Sequence, residues 1–238
     1  MADAAEPPRR FYKSVHVVEG EGGFSIRLDE RGLRTPARSV LVMPTQALAR
    51  LLAAEWEAQG ERIAMASMPA TRLAFTAADR VRAARAEVCA EIARYGGSDV
   101  LCYFAEAPRR LEERQIQAWV PLLEWADEAL GLHLVRTVGI AHVTQPRETL
   151  ERVAALAGEL DDFALAGLGH ATALFGSAVL ALALQRDKLG GALALDLSRL
   201  DEIYQAEVWG ADAEAALRVE SMTAEALMLE AWFGALAP

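Results

Sequence analysis

On the helix that Leu200–Gly210 predicts, Glu202, Ala206 and Trp209 share one stripe, spaced four and three residues apart. A carboxylate and an indole on one stripe suit docking to a partner. The acid meets a base, and the ring covers a large area with few rotors to freeze. Gln205 stands beside them. Leu200, Ile203 and Tyr204 lean toward a neighbouring stripe that is expected to face the core. A bland reading stands next to this one: a Trp in a last helical turn is more often a core plug, and a helix Glu is usually just solvated. Gly210 follows the helix at the position where chains most often turn left-handed.

Nothing near these residues suits bond-breaking, and the rest of the chain has no catalytic motif. A phosphate loop needs Gly followed by Lys-Ser or Lys-Thr at fixed spacing, which does not occur. Gly20-Glu-Gly22 falls in a hairpin loop, and Gly167-Leu-Gly169 follows no predicted strand, so neither is a dinucleotide fingerprint. His16, His133, His142 and His170 lie far apart without metal spacing and read as surface or structural histidines. Ser177 follows a Gly but sits in no GxSxG elbow. Asp161-Asp162 and Glu112-Glu113 read as helix-start charge or a solvated face. Cys89 and Cys102 form no CxxC, which implies neither a zinc site nor a disulfide framework and fits a reducing cytosol. No catalytic residue, cofactor or metal is expected, although a site assembled by the fold stays open at this stage.

The elements that position the stripe follow from periodicity. Val15 and Val17 alternate with Ser14 and His16, and Phe24, Ile26 and Leu28 with Ser25 and Arg27. Gly20–Gly23 and Asp29–Gly32 supply the turns, and Val40–Val42 reads as a further short strand. Gly23, in the first of these turns, is a structural position. An antiparallel meander with one apolar face needs a helix against it. That helix begins at the Thr45 cap, repeats Leu48, Leu52 and Trp56 every fourth residue, and stops at Gly60. Trp56 on this stripe is a core residue. Helices dominate from about Pro69, so the fold class is α+β. The expected division is a flexible N-terminus over residues 1–9, a mainly β domain over 10–68 and a larger all-helical domain over 69–238.

Within the helical part, one helix is predicted near Arg80–Tyr95, ending at Gly96-Gly97, and Asp99 with Ser98 caps the apolar piece Val100–Phe104. Another runs over Arg109–Leu130, with Ile116, Trp119, Leu123, Ala126 and Leu130 on its apolar stripe and a kink at Pro121. A strand-like piece covers Leu132–Val138, and Pro146 opens the next helix. Phe163–Leu184 carries no charge and approaches the length of a bilayer span, about 20 residues. Its many alanines and three glycines favour a buried core helix, so no membrane insertion is expected. Trp119, Trp125, Trp209 and Trp232 all lie in this part, and only one or two of them can be interface anchors.

The chain has 238 residues, enough to bury a sizeable core, and 34 acids against 24 bases leave a net charge of −10. Phosphate affinity rests on clustered Lys and Arg, so nucleic acid is excluded as a partner. Met1–Arg10 has no apolar stretch and carries Asp3 and Glu6, unlike secretory and transit peptides. The protein is therefore expected to stay where it is made.

Phe11-Tyr12, Gly22-Gly23-Phe24-Ser25-Ile26 with Leu28-Asp29, and Leu33-Arg34-Thr35-Pro36 occur in order. Glu55-Trp56 with Gln59, Asp99 with Cys102-Tyr103, and Glu202 with Tyr204-Gln205 and Trp209-Gly210 follow. This ordered set, over about residues 10–235, resembles the ATP12 family, assembly chaperones for the alpha subunit of the F(1) sector of ATP synthase. The N-terminus, which looks unprocessed, and the Ala- and Arg-rich usage resemble its alphaproteobacterial branch, which implies a cytoplasmic location in a bacterium, or the mitochondrial matrix in a eukaryote. The resemblance implies a non-enzymatic protein, monomeric when free, that binds free alpha subunit before it pairs with beta. It also implies that the helical part makes the contact, with Glu202 the leading candidate and Gln205, Ala206 and Trp209 beside it. Mitochondrial relatives tend to carry an acidic cluster with His-Asp after the Trp-Gly pair. Here Asp212 and Glu214 precede Ala215-Ala216, with no His. Two other readings stay open on the residues alone: an adaptor or chaperone for another oligomer, and an enzyme of unknown type.

Overall fold

Alternating apolar residues and two tight turns give β1 (Val15–Gly20), β2 (Gly23–Leu28) and β3 (Arg31–Gly32), an antiparallel sheet in the order β1-β2-β3. The register pairs Val17 with Ile26 and Gly20 with Gly23, so only Glu21 and Gly22 span the first turn. The computed structural model describes residues 6–210 and 213–237, the side chain of Ala213 excepted. Its architecture is α+β, a small antiparallel sheet followed by helices. Ile26 and Leu28 are buried on the inner face of the sheet with Leu33, Leu41 and Met43. Val40–Val42 does not form a strand. Pro36 and the left-handed Arg38 (φ 68°) turn the chain there, leaving only the isolated bridges Arg34–Val40 and Phe24–Met43.

Gly23 is required by that last bridge. Its φ is 139°, and a Cβ there would lie 2.3 Å from the carbonyl oxygen of Met43, which accepts the Phe24 N–H at 2.9 Å.

Helix α1 (Gln46–Glu57) covers the sheet. Thr45 Oγ1 accepts the Leu48 N–H at 3.1 Å, and Leu48, Leu52 and Trp56 are buried as the fourfold repeat requires. The helix ends at Glu57, short of Gly60. The buried Gln59 closes it, donating to Glu55 O at 3.0 Å while its own Oε1 accepts Ala64 N–H at 2.8 Å. Helix α2 (Pro69–Thr76) has no cap of its own. Glu55 supplies one, its two oxygens accepting from Ala70 N (2.8 Å) and Thr71 N (2.7 Å). Burial pushes the Glu55 carboxyl up from its ordinary range, and the helix N–H groups offset part of that.

Contacts group residues up to Ala83 with those from Ala231 onward, and Ala84–Glu230 as a second unit. The change of composition near residue 68 therefore falls inside the first unit, because Glu55 ties α2 to α1. Within the same unit Thr45 Oγ1 donates to Ala235 O at 2.5 Å. Residues 7–9, expected to be flexible, are tied to 62–63: Ile63 N–H donates to Pro8 O at 2.9 Å, Arg62 donates to Pro7 O at 2.7 Å, and Arg9 bridges Arg62.

The second unit is helical. It holds α3 (Arg85–Gly96), β4 (Tyr103–Phe104), α4 (Arg109–Leu130), β5 (Thr137–Val138), α5 (Arg147–Gly158), α6 (Asp162–Phe175), α7 (Ala178–Gln185), α8 (Gly191–Ser198) and α9 (Leu200–Trp209). Most of α10 (Ala213–Leu236) belongs to it as well. Helix α3 starts later than Arg80 because residues 77–81 wind as a wider π turn after α2. Helix α4 runs through Pro121 with the bounds its periodicity predicts. Trp119, Leu123, Ala126 and Leu130 are buried, but Ile116 is exposed and Gln115 takes the inner position beside it. The Leu132–Val138 piece narrows to β5, parallel to β4, and Pro146 stands at the cap of α5 rather than inside it.

The uncharged stretch Phe163–Leu184 is broken by the left-handed Gly176 (φ 62°) and re-started by Ser177, whose Oγ accepts Leu180 N–H at 3.0 Å. Both resulting helices are buried around much of their surface. Among the described residues no helix is long and apolar enough to cross a membrane.

Candidate functional site

Helix α9 has two unlike sides, and side chains from α4 decide which one faces out. Gln115, wholly buried, donates from Nε2 to Asp201 Oδ1 at 2.6 Å and accepts Ala105 N–H at 2.7 Å. Arg114 Nη1 reaches both oxygens of Glu207 at 2.8 and 2.9 Å. Trp119 Nε1 donates to Leu197 O at 2.9 Å, just before α9 begins. Leu200 is buried, and Ile203 and Tyr204 are half-buried. With that side engaged, Glu202, Gln205, Ala206 and Trp209 are left exposed on the other, Trp209 at 77%. Gly210 ends the helix with φ 92° and ψ 153°, an extended positive-φ shape nearly confined to glycine rather than the left-handed turn expected.

All four exposed residues line one groove of about 880 Å³. Its other walls are the last turn of α6 (Ala173, Leu174, Phe175) and the first turns of α10 (Ala215, Ala216, Arg218, Val219, Met222), with Val100 behind. Asp196, in the last turn of α8, and Arg199, at the cap of α9, add charge. Among the described residues the Glu202 carboxylate and the Trp209 indole have no hydrogen-bond or ion-pair partner. Val208 on α9 and Leu217 on α10 are exposed as well. Arg199 was missed in the sequence, although its place one turn before Glu202 could have marked it; no local pattern links α9 to Arg218, Val219 and Met222. Asp212 lies outside the described residues; Glu214 stands 3.8 Å from Arg218.

Asp99 braces the back of the groove. Its carboxylate accepts Leu101 N–H and Val179 N–H, each at 3.1 Å, and Val100 N–H donates to Gly176 O at 3.2 Å. Complete burial raises its pKa to about 6 despite these donors. Burial also pushes Cys102 up to about 12, with Asp99 nearby adding to the effect, and raises Cys89 to a lesser degree, so neither thiol is activated as a nucleophile. No group of His, Cys, Asp and Glu among the described residues is arranged to hold a metal. A second hollow, in the first unit, is lined by Arg9, Arg10, Arg62 and Glu61. Arg10 and Arg62 are engaged there with backbone carbonyls, Arg62 also with Glu6. In the groove beside α9, by contrast, Glu202 and Trp209 are left without such partners among the described residues.

The family model described as "ATP12 chaperone protein" matches residues 9–127. The crystal structure of Atp12 from Paracoccus denitrificans is 39% identical, covers 97% of this chain and 99% of its own, and superposes with a TM-score of 0.91. The chain belongs to the ATP12 chaperone family. The crystal structure of the Atu1473 protein from Agrobacterium tumefaciens, described as a putative chaperone, is similar at 40% identity, with 97% of this chain and 87% of that one covered and a TM-score of 0.91. The protein named atp12, mitochondrial, of Schizosaccharomyces pombe is 27% identical over 215 residues, 85% of this chain and 74% of the relative. The family is one of chaperones by its description, and the Agrobacterium structure is named as one too, which places the chain outside the enzymes.

Most of the residues that carry the family resemblance have a structural task. Tyr12 donates to Trp56 O at 2.6 Å and packs edge-on against its ring at 5.8 Å. Asp29 accepts the N–H groups of Lys13 (3.0 Å) and Ser14 (2.9 Å). Glu55, Gln59 and Asp99 cap chain segments, and Gly23 admits a neighbouring carbonyl. Glu202, Gln205 and Trp209 have no such task.

Proposed function

We propose that this chain assists assembly of ATP synthase by binding the free alpha subunit of its F(1) sector. The groove beside α9 covers alpha surface meant for a beta neighbour, and beta displaces the chaperone. The observation that carries this reading is the gathering of Glu202, Gln205, Ala206 and Trp209 on one open groove, in a chain of a chaperone family. A lone alpha subunit exposes apolar area that aggregates, and an exposed indole beside apolar walls covers such area. Glu202 meets a basic group of alpha.

Charge supports the same direction of approach. Residues 84–230 carry 24 Asp and Glu against 12 Lys and Arg, whereas residues 6–83 carry 9 against 12. The acidic unit that bears the groove is steered toward a basic surface, faster at low salt. Release needs no nucleotide. Beta has only to bind the shared surface more tightly, and a margin of about 1.4 kcal/mol favours exchange tenfold. The chaperone acts as a monomer, in the bacterial cytoplasm.

The test mixes the purified chain with isolated alpha and then titrates beta. Binding followed by loss of the chaperone as beta enters is the expected course. A stable complex of all three on separate surfaces refutes competition, and absence of any complex with alpha refutes the reading itself.

A further inference from the structure

Helices wall the groove on three sides: the end of α6, the outer side of α9 and the start of α10. The helix ends among these walls leave a few backbone N–H and C=O groups without an intrahelical partner. Such groups point along their own helix axes at separate places and make no regular row, so the walls offer no ladder to an extended chain. Strand addition, which draws its affinity from such a ladder, is poorly served here. A helix arrives with its own backbone satisfied and needs only places for side chains.

The wall residues suit that occupant. Ala206, Ala215 and Ala216 present a methyl group each, which lets another helix come close, while Ile203, Val219 and Met222 give apolar contact. Polarity is mixed. Glu202 and, three residues before it, Arg199 both line the groove, and neither has an ion-pair partner among the described residues. A complementary helix therefore carries a base and an acid about one turn apart beside its apolar stripe, and a run of lysines does not satisfy it.

We propose that the groove holds an amphipathic α-helix of its client, apolar stripe inward, with a Lys or Arg against Glu202 and an Asp or Glu against Arg199. This rests on the alpha-subunit reading above and specifies which kind of element of alpha is held.

A photo-crosslinking residue placed at Ala206 or at Ala216, both exposed, in the full chain tests it after incubation with isolated alpha. Mass spectrometry should place both sets of crosslinks in one stretch of alpha, at residues three and four apart. Arg199→Glu should weaken alpha binding at least tenfold with circular dichroism unchanged, and Arg199→Lys should largely restore it. Crosslinks at every second residue, or scattered over separate stretches, overturn the helix, as does an Arg199→Glu chain of native affinity. If alpha binds but crosslinks only elsewhere, the helix proposal alone falls. If alpha does not bind at all, the assembly reading falls and takes this one with it.

Discussion

Asp99 accepts a hydrogen bond from the backbone N–H of Val179 at 3.1 Å, 80 residues further along the chain. The same carboxylate holds Leu101 N–H, so one buried side chain joins the short turn after α3 to the start of α7. Val100 and Gly176, on either side of this joint, line the groove.

Stability should therefore depend on pH in a way traceable to Asp99. Its pKa is about 6 when folded against 3.8 for an ordinary carboxyl. The folded chain then holds this proton more strongly, so the stability Asp99 contributes is full below about pH 4 and falls as pH rises toward 6 and beyond. The shift corresponds to about 3 kcal/mol. Asp99→Asn removes the titration. Urea unfolding from pH 4.5 to 7.5 should show the wild type losing stability relative to this variant as pH rises. A constant gap between the two contradicts the assignment.

Gln115→Ala leaves the Ala105 N–H and the Asp201 carboxylate without their partner. One buried polar group left unpaired costs about 1–3 kcal/mol. The loss should appear as a lower urea midpoint, with alpha binding also weakened because Asp201 no longer fixes the rotation of α9. Unchanged stability and unchanged binding together would remove Gln115 from this role.

Trp119 and Trp209 should respond oppositely to truncation. Trp119 is 1% exposed, and its replacement by Ala should cost about 3–5 kcal/mol. Trp209→Ala and Glu202→Lys alter exposed positions and should change stability by no more than about 0.5 kcal/mol. Both should lose alpha binding, measured by calorimetry, while circular dichroism stays native. Native affinity in either variant takes that residue out of the contact.

Gly23 and Gly22 separate crowding from backbone strain. Both have positive φ, 139° and 84°, but only at Gly23 would a Cβ meet a backbone oxygen. Gly22→Ala should cost about 1 kcal/mol through strain alone. Gly23→Ala must also displace the Met43 carbonyl and should lower the thermal midpoint distinctly more. Equal effects would show that the close approach is relaxed at no cost.

Local periodicity made α1 and α4 legible, together with the division of α9 into a side led by Leu200 and a side bearing Glu202 and Trp209. Each depends on residues three or four apart, and the cap at Thr45 is equally local. The order of the family residues made the chaperone family legible too. Periodicity misread Ile116, because a stripe drawn from apolar residues cannot foresee that a buried Gln will take the inner place and bind Asp201. It also could not choose which tryptophan stays outside. Trp232 and Trp209 both sit on helices in the last 40 residues, yet one is wholly buried and the other open.

Tertiary structure alone decided the second wall of the groove, the borrowed caps from Glu55 and Asp99, and the return of the C-terminus to the first unit. These join positions from 15 to about 190 residues apart. A helical pattern records which neighbours within a turn share a face. What lies across from that face is set by how distant segments pack, and short-range spacing carries no trace of it.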